Sequence, residues 1–167
     1  MAKRLLALPC LLLCLVSTAQ PLVSAQAAPK DTAALKGLRV GKGIFDINLA
    51  APEKLPLYLG VIKETFAGMK AQGVKPDLIV VFRGPAVKLV SCERDAFSPE
   101  QKASLERSDA LIQELAGLGV RFEACAVATR IFQVDQEDLL PQVKAVGNTF
   151  VSLIGYQAKG YGMIPIQ

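Results

Sequence analysis

Cys125 is the residue of this chain best suited to chemistry of its own. It lies near the end of a predicted strand, in Ala124-Cys125-Ala126-Val127, with Arg130 close behind and Asp135-Gln136-Glu137-Asp138 opening a helical turn further on. A helix N-terminus and an arginine both favour thiolate over thiol. A thiolate attacks sulfane sulfur, disulfides and electrophiles. The same apolar context fits an inert, buried thiol equally well, because free cysteine is among the most buried residue types. Cys92, in the polar stretch Ser91-Cys92-Glu93-Arg94, is open to two readings: a free surface thiol, or the partner of Cys125 in a disulfide. A bridge needs the two α-carbons within about 7 Å and would consume the nucleophile. Arg83, in the Arg83-Gly84-Pro85 turn, is placed to meet an anionic ligand, an oligomer interface or a neighbouring carboxylate. Asn48 and Arg130 complete the polar candidates at predicted strand ends.

What the chain lacks narrows the chemistry. Its 167 residues contain no histidine and no tryptophan. Ser-His-Asp and Cys-His catalysis, imidazole bases and His-containing zinc sites are therefore excluded. The glycines of residues 155–162 do not follow a strand in a GxGxxG context, no Walker sequence is present, and the acidic residues are scattered. No metal site is expected.

Residues 1–27 read as a secretory signal peptide. Lys3 and Arg4 form its positive start, Leu5 to Val16 is apolar, and small residues allow cleavage after Ala25 or Ala27. The apolar run is too short for a spanning helix. Cleavage would remove Cys10 and Cys14, leaving two thiols in an oxidising compartment, periplasmic or extracellular. It would also leave 17 basic residues against 15 acidic ones. That balance, with no basic run, gives no footprint for nucleic acid. No second stretch is apolar enough to hold the mature chain in a membrane.

The elements that must position these residues follow from local signals. Residues 28–37 are small and polar and read as a flexible arm, leaving 38–167 as a single domain. Three times a helical stretch runs into a glycine and then a β-rich run, at Gly73, Gly119 and Gly160. Each glycine suits the left-handed position that ends a helix. Leu55, Leu59, Ile62, Phe66 and Met69 form one helical stripe. Ser98-Pro99-Glu100-Gln101 is a capping box, with Leu105, Ile112, Leu115 and Leu118 behind it as the buried face. Asn148 to Lys159 reads as a further helix. Strands are expected at Val40–Leu49, Leu78–Arg83, Arg121–Ala126, Val143–Val146 and Tyr161–Ile166. The fold class is a three-layer α/β sandwich with a mostly parallel sheet of about five strands. Such sheets place reactive groups beyond the carboxyl ends of their strands.

VVFRGPAVKL (residues 80–89), GVRFEACAVATR (119–130), DLLPQVKAVGN (138–148) and QAKGYGMIPI (157–166) resemble, in order and spacing, the DsrE/DsrF-like family of sulfur-relay proteins. The resemblance implies a small α/β sandwich that assembles into trimers or hexamers. It also implies that a cysteine on the third strand accepts sulfane sulfur as a persulfide and passes it on. Cys125 occupies that position. Many relatives carry histidine where this chain has Arg83, which removes acid–base help there. Relay members with known partners work in the cytoplasm, so an exported member would need a different sulfur donor or acceptor protein. The reading is an exported sulfur carrier that needs no metal or organic cofactor. Two alternatives stand beside it: a non-catalytic oligomeric ligand-binding or structural module of the same fold, and a redox protein with a Cys92–Cys125 disulfide. The apolar segments Phe150–Ile154 and Met163–Ile166 offer surface for self-association.

Overall fold

The computed structural model describes residues 29–167. The leader expected over residues 1–27, with Cys10 and Cys14, lies outside the described residues. In the arm, Thr32–Leu35 make a single helical turn, α1, and the Asp31 N–H donates to Gln72 Oε1 at 2.9 Å.

Five parallel strands form one sheet: β1 (Val40–Ile47), β2 (Lys75–Phe82), β3 (Arg121–Cys125), β4 (Val143–Val146) and β5 (Gly162–Ile166). Their order across the sheet is β4-β3-β2-β1-β5. The chain steps outward from β1 to β4 and then returns past three strands to pair β5 with β1. Right-handed crossovers put helices on one face during the outward steps and on the opposite face during the return. Accordingly α2 (Leu55–Ala71) and α3 (Pro99–Gly117) cover one face, and α5 (Thr149–Ala158) covers the other. The sandwich has three layers, as the sequence pattern implies.

The two faces differ in apolar content. Against α2 and α3 lie Phe45, Ile47, Leu78, Val80, Phe82, Phe122 and Ala124 in the main core. Beneath α5 a small core holds Ile44, Ile79, Val81, Leu153 and Tyr161. Alternation along the strands sends Asp46, Asp77, Arg121 and Glu123 to this second face as well. There Tyr161 Oη donates to Asp77 Oδ2 (2.6 Å), Arg121 pairs with Asp77 (2.8 Å), and Tyr156 Oη donates to Glu123 Oε1 (2.6 Å).

The stop and start signals are realised. Gly73, Gly119 and Gly160 have φ of 80°, 96° and 85° just beyond α2, α3 and α5. Ser98 Oγ accepts from the Gln101 N–H while Gln101 Oε1 accepts from the Ser98 N–H, so both halves of the capping box are made. Several details depart from expectation: β1 ends at Ile47 rather than Leu49, and β2 runs from Lys75 to Phe82 rather than from Leu78 to Arg83. Leu118, expected on the buried face of α3, is 44% exposed, because the helix closes at Gly117 and Leu118 caps it outside the core. The predicted third strand stops at Cys125, and the chain turns directly into a short helix, α4 (Ala126–Ile131).

Candidate functional site

The connection after β3 leaves toward the main core, where Ala128 packs, whereas the one after β4 leads into α5 on the opposite face. Neighbouring strands whose connections diverge in this way open a crevice at their carboxyl ends. A half-open cavity of about 220 Å³ lies there, with Cys125 in its wall. The turn after β2 contributes Arg83 and Gly84, α4 contributes Val127, Ala128 and Ile131, and the start of α5 contributes Asn148, Thr149 and Phe150.

Cys125 is the residue before α4 and is only 5% exposed. The Thr149 N–H donates to its Sγ at 3.5 Å. Burial pushes the thiol pKa up, but this is outweighed by the neighbouring Thr149 hydroxyl and by the amides of Thr149, Ala128 and Val127. The net effect holds the thiol below its ordinary value, toward the thiolate. The Thr149 hydroxyl is itself fully buried and has no hydrogen-bond partner of good geometry among the described residues. It stands beside the sulfur, where its donor acts on the thiolate.

Arg83 lines the cavity, but its charge is directed elsewhere. Nε and Nη2 bond the two carboxylate oxygens of Asp46 at 2.7 and 3.0 Å, and Asp46 is almost wholly buried. Such a bidentate pair is geometrically rigid. The guanidinium also faces the Phe150 ring at 5.8 Å. Of the three readings of Arg83, the pair with a neighbouring carboxylate is present. Gly84, with φ of 55°, passes so close to the Asn48 side chain that a Cβ would collide with Asn48 Oδ1.

The other sequence candidates fall around the cavity rather than in it. Asn48 is half-buried behind Gly84, and its N–H donates to Ile166 O. Arg130 is exposed near the end of α4 and does not line the cavity. The helical turn that serves Cys125 is α4 itself, not the 3-10 turn at Gln136–Asp138. Cys92 and Cys125 are both free thiols, so the alternative bridge is not made. Cys92 is exposed, with its N–H tied to Asp138 O, whereas Cys125 lies beneath Thr149. Sequence reasoning missed Asp46 and Thr149. Asp46 left one signal: it is a lone charge inside Ile44-Phe45-Asp46-Ile47.

A parallel five-stranded sandwich with a thiol at its crevice defines the class of molecule. The DsrE/DsrF-like family model matches residues 42–166, and the chain belongs to that family. An uncharacterized protein of Aquifex aeolicus (strain VF5) is 22% identical over 125 residues, which cover 74% of this chain. The match covers 55% of that relative, so the chain spans about half its length. Among solved structures, MTH1491 of Methanobacterium thermoautotrophicum, a protein of unknown function, superposes with a TM-score of 0.59 at 22% identity. The superposition covers 77% of this chain and 99% of MTH1491. It shows the shared fold.

Proposed function

We propose that the protein is an exported sulfur carrier in which the Cys125 thiolate accepts a sulfane sulfur as a persulfide and hands it to a second protein. The observation that carries this reading is the set of donors converging on Cys125 Sγ beside a half-open cavity. In loading, the thiolate attacks the donor's outer sulfur. A new S–S bond forms to Cys125, the donor's own S–S bond breaks, and the electron pair leaves on the donor's thiolate. Unloading is the same exchange with an acceptor thiolate attacking, and Cys125 is then the leaving group. The donors that favour its anion help both directions, since a thiol of lower pKa leaves faster. Neither exchange requires a metal or an organic cofactor. Export rests on the reading of residues 1–27 as a leader, and assembly into trimers or hexamers on the apolar outer face of α5.

Intact mass after incubation with a persulfide donor tests the carrier role. One added sulfur on the wild-type protein and none on Cys125→Ser is the expected result. Equal addition to both, or none to either, would sink the proposal. The 5% exposure of Cys125 supports the rival reading of a non-catalytic module, which predicts slow alkylation of the native thiol.

A further inference from the structure

We infer that the Cys125 cavity takes its sulfur from a small uncharged hydropersulfide and turns anionic donors away, Asp46 being the residue that sets this choice. The inference rests on the carrier reading and adds the class of donor to it. At about 220 Å³ the half-open cavity lies below the roughly 300–1,000 Å³ of clefts that enclose drug-sized ligands, so the part of the donor that enters it must be small. Val127, Ala128, Ile131, Phe132 and Phe150 make most of its wall apolar. Its one charged side chain is Arg83, already neutralised by both oxygens of Asp46. An incoming anion would lose hydration and meet no uncompensated cation in return.

The chemistry agrees with the wall. An apolar site favours the protonated hydropersulfide R–S–S–H over its anion. The protonated form is the electrophile. The Cys125 thiolate bonds to its outer sulfur, which keeps its hydrogen, and the S–S bond joining that sulfur to the inner one breaks. RS⁻ departs with the electron pair and takes a proton from water. No oxidant is consumed.

Intact-mass kinetics with three donors tests the choice: the hydropersulfide of N-acetylcysteine methyl ester, which is uncharged once its S–S–H group is protonated; that of N-acetylcysteine, which carries a carboxylate besides; and thiosulfate. The ester should load Cys125 at least about tenfold faster than the acid, the scale of leaving a charge unpartnered, and thiosulfate should be slower still. Asp46→Asn releases Arg83 and should raise loading by the acid and by thiosulfate relative to the ester. If that variant does not fold, Ile131→Arg at a 65% exposed wall position adds a free cation and should shift the ratio the same way. Acid or thiosulfate loading the wild type as fast as the ester overturns the inference and leaves the carrier reading intact. A selective wild type whose ratio neither variant moves overturns the role given to Asp46. No sulfur on Cys125 from any donor, or equal uptake by Cys125→Ser, overturns both readings.

Discussion

The state of the Cys125 thiol is decided by which hydrogen-bond donors surround it. Because folding lowers its pKa, the midpoint of iodoacetamide reactivity against pH should lie below that of the same thiol in the unfolded chain. The sign for stability follows. A depressed folded value adds stability above the unfolded thiol's pKa, and that increment is lost as pH falls through the folded one. Thr149→Val keeps the shape and the amide but deletes the hydroxyl, so the reactivity midpoint should rise. Below the pH range where the thiol ionises, stability should change little, because the hydroxyl acts only on the thiolate and has no other partner among the described residues. An unchanged midpoint would show that the amides act alone. Tyr156 titrates in the opposite sense. Its hydrogen bond to Glu123 and its burial push its pKa up to about 12. Its contribution to stability is therefore full below the unfolded tyrosine's pKa and is lost as pH rises toward 12. Glu123→Gln removes the charge that opposes ionisation, so ultraviolet titration should find Tyr156 ionising at lower pH.

At the scale of elements, the readable features were those written locally. A glycine at a helix stop or a Ser-Pro-Glu-Gln start is a physical constraint within four or five residues, and each appears where its pattern lies. Ser98→Ala should accordingly cost about 1 kcal/mol of unfolding free energy in urea. Sulfur uptake at Cys125 should not change, because no residue of α3 lines the cavity. What could not be read depends on register and crossover. Asp46 meets Arg83 only because β1 pairs in parallel with β2, with Asp46 opposite Val81. Thr149 reaches Cys125 across 24 residues because β4 pairs beside β3 and the chain then turns onto the other face. The helix α4 lacks a side-chain cap and continues straight from a strand, so nothing local marks its start. The thiol was thus legible as a candidate, and the groups that tune it were not.

For the whole molecule, the uneven covering of the sheet matters most. Among the described residues α5 is the one helix over its face, and it presents Phe150, Val151 and Ile154 outward at 59%, 67% and 69% exposure. Met163 and Ile164 of the edge strand β5 are 44% exposed. Isolated apolar side chains on a surface need no explanation, but three on one short helix mark a face suited to a partner surface. We propose that copies of this chain associate through it. Sedimentation velocity should then show a species larger than a monomer that Ile154→Glu dissociates without unfolding. A wild type that sediments as a monomer at every concentration would end the proposal.

Phe150 takes part in both surfaces: its ring borders the Cys125 cavity and also stands on the outer side of α5. Covering that helix would therefore narrow the mouth through which sulfur arrives, making reactivity a property of the assembly state. Diluting the protein through its dissociation range should speed thiol labelling per subunit, whereas Ile154→Glu should be fast at every dilution.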